Sequence, residues 1–94
     1  MRRKADEKMN REQAYQAMVD AAANRDASAL NSARKAFQAT ISRPFSHSVE
    51  GRSFLGDSIG LASPKGWRHS ASDIQAAWNN IAKLLKSDWI QNIA

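Results

Sequence analysis

Cysteine is absent from the 94-residue sequence. Its absence excludes disulfide bonds, thiolate nucleophiles and thiolate zinc sites, which are the usual stabilising devices of small secreted domains. An intracellular protein is therefore the simpler interpretation, and we expect a cytoplasmic location.

Long apolar runs are also missing, since no uninterrupted stretch of apolar residues exceeds three. A membrane-spanning helix needs about 20 mostly apolar residues in succession, and a secretory signal needs an apolar segment of about 7 to 15. The basic N-terminal residues are followed by no such segment. The sequence thus predicts neither a signal peptide nor contact with a membrane.

Large apolar side chains are scarce. The apolar fraction is 43%, but 17 of these residues are alanine, which leaves 23 larger side chains for a core. A chain of this size buries only about 60 to 65% of the surface that it exposes when unfolded. The length suits one small domain spanning residues 1–94, whose stability depends on burying these few side chains well.

Residues that could hold a metal ion or perform catalysis are few. The histidines are His47 and His69, and Glu50 is the one glutamate after residue 12. A zinc site needs about three or four protein ligands, and a catalytic triad needs a geometry that adjacent serine and histidine do not provide. No glycine-rich segment carries the lysine and hydroxyl residue of a phosphate-binding loop. We therefore predict no enzymatic activity, no metal and no cofactor.

Helix signals are the clearest patterns that the sequence contains. Asn10 and Gln13 have the spacing of a capping box, and small and apolar residues follow at helical intervals to about residue 23. Asp26 is a suitable N-cap for a second helix, from residue 27 to about residue 42. Because the connection is short, the two helices should form an antiparallel hairpin over residues 10–42.

The strongest pattern lies in the C-terminal segment, residues 70–94, where Ser70 or Ser72 would cap the start of a helix. This segment holds eight of the 23 large apolar residues, most of them three or four positions apart as on one face of an amphipathic α-helix. Their arc spans about 180°, wider than the stripe of about 100° that one neighbouring element covers. The predicted fold is mainly α: a small three-helix domain, with the antiparallel hairpin and a longer C-terminal helix.

Glycine and proline are confined to the middle of the chain, where all four glycines and both prolines lie between residues 44 and 66. Proline ends a helix and biases the residue before it away from helical conformation. The segment 43–69 is therefore predicted to be a long loop between the second and third helices. Loops of this length in compact domains are usually functional or contain structure of their own.

One part of this loop, residues 53–61, has the pattern of a short β-hairpin. A Gly-Asp pair would form the two-residue turn, and Phe54 and Ile59 would be cross-strand neighbours on the core side. An isolated hairpin is marginally stable in water, so it would have to pack on the helices. The alternative is an irregular loop, or a single helical turn pinned by Phe54 and Leu55.

The net charge is +5 and the isoelectric point is about 10.1. An excess of positive charge favours partners with negative surfaces, such as nucleic acid or an acidic protein face. Most of the excess lies in the basic N-terminal arm, residues 1–9, and in the loop 43–69, while the C-terminal helix is neutral. A neutral helix is no conventional DNA-recognition helix, so any DNA contact would come from the arm, the loop, Arg34 and Lys35.

Candidate partner-binding residues fall into two groups. The first lies in the loop: Arg43, Arg52, Lys65, Trp67 and Arg68. Basic residues interleaved with aromatic ones are typical of nucleic-acid-binding surfaces, although loop aromatics also serve as anchors to a core.

The second group lies at the end of the C-terminal helix: Trp89, Ile90 and Ile93. Ile90 lies off the apolar stripe and has no obvious place in an intramolecular core. These residues are therefore predicted to form an exposed apolar patch for a protein partner or a homodimer. The alternative is that single exposed apolar residues near a chain end are commonplace.

Together these features predict a non-catalytic, small basic interaction protein. It would dock on a larger protein or nucleoprotein with an acidic surface and modulate or inhibit it. Small basic proteins without cysteine or motifs are common among the accessory factors of phages and mobile elements. The alternative is a protein that binds nucleic acid directly and with weak sequence specificity.

Overall fold

The computed structural model describes residues 10–63 and 70–93, which form five α-helices and one 3₁₀ turn. In chain order the elements are α1 (Arg11–Ala23), α2 (Ala27–Gln38), the 3₁₀ turn (Phe45–His47), α3 (Val49–Ala62), α4 (Ala71–Lys86) and α5 (Asp88–Asn92). These described residues contain no strand. The predicted mainly α class is confirmed, whereas the predicted number of three helices is wrong. The predicted basic arm, residues 1–9, lies outside the described residues.

Three of the helices begin where the sequence places an N-cap. The Asn10 side chain accepts a hydrogen bond of 2.8 Å from the Gln13 backbone, and the Gln13 side chain accepts one of 3.0 Å from the Asn10 backbone. The side chains of Asp26 and Ser70 cap α2 and α4 by accepting hydrogen bonds of 3.1 Å from backbone N–H groups. Each cap satisfies a donor that the first turn of a helix would otherwise leave without a partner.

The core is built from apolar side chains of the five helices and the 3₁₀ turn. The largest fully buried apolar side chains are Met18, Leu30, Phe37, Phe45, Phe54, Ile81 and Leu85. The Tyr15 hydroxyl ties α1 to α4 by donating a hydrogen bond of 2.6 Å to the Leu85 carbonyl oxygen. In this arrangement α3 packs against α2, α4 and the 3₁₀ turn, and its remaining side faces outward.

The predicted β-hairpin of residues 53–61 is wrong, because these residues lie within α3. The Ser48 hydroxyl caps this helix by accepting a hydrogen bond of 2.9 Å from the Gly51 N–H. Phe54 is fully buried while Ile59 is 54% exposed, so their side chains do not lie together on the core side. With 14 residues α3 also exceeds the single helical turn of the alternative interpretation, and much of the predicted loop is helical.

The glycines of α3 make this helix difficult to predict from the helix propensities of its residues. A glycine inside a helix costs about 1 kcal/mol relative to alanine, and α3 contains three of them. Packing requires one, because a Cβ atom on Gly51 would lie 1.9 Å from the Phe45 carbonyl oxygen. Only glycine lets α3 approach the 3₁₀ turn this closely. The close approach accompanies the complete burial of Phe45 in the core.

The predicted single helix over residues 70–94 is two helices, because the chain bends at Ser87. The Ser87 backbone is extended (φ −87°, ψ 165°), and its hydroxyl donates a hydrogen bond of 2.9 Å to the Leu84 carbonyl oxygen. This bond satisfies one of the carbonyl groups left free at the end of α4. The bend changes the direction of α5, so that Ile90 is only 2% exposed. The prediction that Ile90 has no place in the core is wrong.

Candidate functional site

The loop residues predicted to bind a partner have different surroundings in the fold. Arg43 is exposed in the connection after α2. Arg52 is exposed on α3, where its Nη1 donates a hydrogen bond of 2.9 Å to the Ser46 carbonyl oxygen. Three further predicted residues lie outside the described residues: Lys65, Trp67 and Arg68. Of the two described residues of this group, Arg52 has a side chain that a hydrogen bond holds in position.

The second predicted group, at the end of the chain, packs largely into the core. Ile90 is buried, while Trp89 and Ile93 are half-buried and pack against the core cluster. The exposed apolar patch predicted here is therefore wrong as far as Ile90 is concerned, because the bend at Ser87 turns that side chain inward. A partner contact of Trp89 and Ile93 stays a prediction.

Phe45 lies at the centre of an aromatic cluster. Its ring stacks on Phe37 at a centroid distance of 5.8 Å and meets the rings of Phe54 and Trp89 edge-on, each at 5.7 Å. Aromatic pairs in such geometries contribute about 0.5–1.5 kcal/mol beyond their area burial. Since Phe45 and Phe54 are fully buried, they anchor this part of the chain to the core and offer no surface for stacking of bases.

The outer side of α3 carries the two most exposed large apolar side chains of the described residues. Val49 is 70% exposed and Ile59 is 54% exposed, and Arg52 and Gly56 lie between them, also exposed. At about 100° per residue, these four positions fall within an arc of about 80° along roughly 15 Å of helix. We call this surface, formed by Val49, Arg52, Gly56 and Ile59, the α3 face.

Gly56, in the middle of the α3 face, packs closely against no other described part of the chain. A Cβ atom built on it meets no atom within 4 Å, in contrast to one built on Gly51. Glycine in an exposed helix interior costs about 1 kcal/mol relative to alanine, and no close packing at this position offsets that cost. The missing side chain leaves the helix backbone open to close approach by another molecule.

A pocket of about 340 Å³ lies beside the α3 face, between α2 and α3. We call it the basic pocket, and it is lined by Asn31, Arg34, Lys35, Ile59, Ala62 and Ser63. Ile59 belongs to both the pocket and the α3 face, so the two form one continuous surface. Two cationic side chains and exposed aliphatic side chains thus meet in a single concavity.

Arg34, in the basic pocket, has a buried donor that no described acceptor satisfies. It is half-buried, one of its Nη atoms donates a hydrogen bond to the Asn31 side-chain oxygen, and its Nε is buried without a hydrogen-bond partner. Burial lowers the pKa of the Arg34 guanidinium, because removal from water disfavours its charged form. The group nevertheless stays charged at neutral pH, as arginine does in proteins.

A polar contact with α4 holds α3 in place on another side. The Asn80 amide donates hydrogen bonds of 2.8 Å to the Asp57 carboxylate and 2.9 Å to the Ser53 hydroxyl. Asp57 is buried, so the first bond offsets part of the cost of removing its carboxyl group from water. These bonds help to fix the rotation of α3 and, with it, the residues that face outward.

Groups suited to metal binding do not converge in residues 10–63 and 70–93. Among them, no three histidine, cysteine or acidic side chains are placed to hold a metal ion. His47 is exposed in the 3₁₀ turn, and the neighbouring Ser48 hydroxyl is engaged as the cap of α3. Over the same residues, no helix combines the length and apolar character that crossing a membrane requires.

The sequence predictions missed three residues of the α3 face: Val49, Gly56 and Ile59. A local signal was present, because Ser48 is a good N-cap and Glu50 places an acidic group in the first turn of the helix. The glycines of α3 counteract this capping signal, because glycine disfavours a helix. The sequence indicates Arg34 and Lys35 only as DNA contacts, because no sequence pattern reveals that they share a pocket with Ile59.

Comparison with known proteins identifies no relative. Protein-family models, curated proteins and solved structures each gave no match to this chain. The α3 face and the basic pocket are therefore the features of the molecule that indicate a function.

Proposed function

We propose that this protein is a non-catalytic interaction protein that docks through the α3 face on the acidic surface of a larger protein or nucleoprotein. The main support is the exposure of Val49 and Ile59 on either side of Arg52 and the open backbone of Gly56. Complete burial of one such aliphatic side chain contributes about 1.5–3 kcal/mol, which a partner can recover. A protein bound in this way modulates or inhibits its partner by covering part of the partner's surface.

The charges around the α3 face favour an acidic partner. Arg52 lies in the face, and Arg34 and Lys35 line the adjoining pocket, against one exposed acidic residue of α3, Glu50. Arginine is enriched among the residues that dominate interface energetics. The hydrogen bond from Arg52 to the Ser46 carbonyl oxygen restricts its side chain before binding, which lowers the entropic cost of association.

We assign the protein to the cytoplasm and to the class of small accessory factors that phages and mobile elements encode. Support comes from the net charge of +5 and the lack of cysteine. A factor of this kind acts by occupying a surface and not by chemistry. Its effect should therefore require stoichiometric amounts relative to its target.

Capture of the tagged full chain from a cell lysate, with and without nuclease, tests the class of partner. We expect a stoichiometric protein partner that survives nuclease treatment and is lost with Arg52→Glu. The matched control is Arg11→Glu, a charge reversal at an exposed position of α1, which should retain the partner. Circular dichroism first establishes that both variants keep native helix content. Loss of all captured material with nuclease, or equal capture by both variants, would contradict the proposal.

Direct binding of nucleic acid is the second candidate, and the charge between residues 31 and 55 favours it. This stretch contains four basic residues and one acidic residue. Binding through phosphates would weaken steeply with salt, with a logarithmic slope of about 0.9 per phosphate contacted, and would show little sequence preference. Fluorescence anisotropy with a short DNA duplex over a salt series measures both properties. Absence of binding at low salt would eliminate this candidate.

A further inference from the structure

We propose that the basic pocket binds a carboxylate group, with Arg34 as its main contact. This site is distinct from the docking contact of the α3 face, because its two cations, Arg34 and Lys35, lie on α2. The pocket adjoins that face through Ile59, so a carboxylate on a docked partner could reach it. A small carboxylic acid could occupy it equally well without any partner.

The described residues supply Arg34 with one hydrogen-bond acceptor and no ion pair. Its guanidinium offers five N–H donors, and the Asn31 side-chain oxygen is the acceptor that the described residues supply. The Nε donor of Arg34 is buried and has no acceptor among the described residues. Burial has removed part of the hydration of this cation, as its lowered pKa indicates. An anion in the pocket would replace the lost water, and hydrogen bonds between charged groups are roughly twice as strong as neutral ones.

The remaining polar side chains of the pocket suit the same ligand. Lys35 adds a second cation, and Asn31 holds the Arg34 guanidinium by accepting its hydrogen bond. A carboxylate has two oxygens with about four acceptor sites, so it can accept from two cations at once. The planar fork of arginine matches the geometry of a carboxylate, which a single ammonium group does not.

The apolar lining indicates what the carboxylate is attached to. Ile59, which is 54% exposed, and Ala62 form the aliphatic part of the pocket wall. A volume of about 340 Å³ leaves room for a short hydrocarbon stem beside the charged group. The side chain of glutamate and small aliphatic acids both have this composition.

The position of α3 favours a carboxylate over a phosphate. Ala62 is the last residue of α3 and Ser63 follows it, so the pocket lies at the C-terminal end of that helix. This end carries a partial negative charge of about half an elementary charge. It opposes a phosphate dianion more strongly than a carboxylate, which bears a single charge.

Nuclear magnetic resonance of the full chain, observed at the arginine Nε–Hε signals, tests this site. The probes are sodium acetate, sodium glutarate and an acetylated, amidated peptide of glutamate and alanine. Sodium phosphate is compared at matched ionic strength, and sodium chloride is the salt control. We expect a saturable shift of the Arg34 signal with the carboxylates, weaker binding of phosphate and no saturable effect of chloride. No saturable shift with any carboxylate, or tighter binding of phosphate, would overturn the proposal.

The peptide and the small acids distinguish the two sources of the carboxylate. Tighter binding of the peptide than of glutarate assigns the pocket to an acidic side chain of a protein. Equal or weaker binding of the peptide assigns it to a free acid. Either result supports a carboxylate site, whereas failure of docking by the α3 face would leave the shift of Arg34 unchanged.

Substitution of Arg34 gives a second test. Arg34→Lys keeps the charge but removes the planar fork, and we expect glutarate to bind about tenfold more weakly or worse. Arg11→Lys, the same change at an exposed position, should bind as the wild type does. If Arg34→Lys does not fold, Asn31→Ala replaces it, since loss of the Asn31 contact leaves the guanidinium without its support. Unchanged glutarate affinity in the folded variant would overturn the assignment.

Discussion

The side-chain amide of Asn80 in α4 donates a hydrogen bond of 2.8 Å to the buried carboxylate of Asp57 in α3. The same amide nitrogen donates to the Ser53 hydroxyl one turn earlier in α3. Loss of a hydrogen-bond donor removes part of the stabilisation that offsets the desolvation of a buried carboxylate. This contact therefore links the orientation of α3, and hence of the α3 face, to α4.

Asn80→Ala should lower the free energy of unfolding by about 1–3 kcal/mol, because it removes a donor from a buried carboxylate. Asn79→Ala is the matched control, since Asn79 is exposed on α4 and should change stability by no more than about 0.5 kcal/mol. Urea denaturation followed by circular dichroism measures both. Equal stability of the two variants would mean that the link between α3 and α4 is not made by Asn80.

Two glycines of the same helix should respond in opposite directions to substitution by alanine. Gly51→Ala places a Cβ atom 1.9 Å from a backbone oxygen, so it should destabilise the protein by about 1–3 kcal/mol or more. Gly56→Ala meets open space and should stabilise it by about 0.5–1 kcal/mol, because alanine is the better helix former. Thermal and urea denaturation of the two variants would show this difference. Stability changes of the same sign in both variants would contradict the packing of α3 on the 3₁₀ turn.

Substitution of two isoleucines by alanine should change the stability by different amounts, because one isoleucine is buried and the other is exposed. Ile90→Ala should destabilise the protein by about 2–5 kcal/mol, because Ile90 is 2% exposed and its truncation leaves a cavity. Ile59→Ala removes an exposed side chain and should change the free energy of unfolding by no more than about 0.5 kcal/mol. Denaturant unfolding curves of the two variants measure these changes in the free energy of unfolding. A small effect of Ile90→Ala would indicate a straight C-terminal helix without the bend at Ser87.

Local capping chemistry made the starts of α1, α2 and α4 predictable. Asn10, Asp26 and Ser70 each accept a backbone hydrogen bond within three residues, so the signal lies entirely in adjacent sequence. The apolar spacing likewise predicted most of the buried side of α4. The structure confirms these predictions because interactions between residues close in sequence determine these features.

The remaining features depend on contacts between distant residues. α3 forms although glycine disfavours it, since Phe54 is buried and Gly51 packs against Phe45. Ser87 interrupts the last helix without the glycine or proline that marks most helix ends. The basic pocket exists because α2 and α3 bring Arg34 beside Ile59, 25 positions later in the chain. Sequence spacing carries no information about such pairs.

The affinity of the captured partner for two aspartate variants tests the docking role of the α3 face most directly. Ile59→Asp introduces a charge within the α3 face, and we expect binding at least about tenfold weaker than wild type. Ile74→Asp is the matched control, because Ile74 is 39% exposed on α4 and outside the α3 face, and it should bind as the wild type does. Wild-type affinity of Ile59→Asp, or equal loss in both variants, would contradict the proposal that the α3 face is the docking surface.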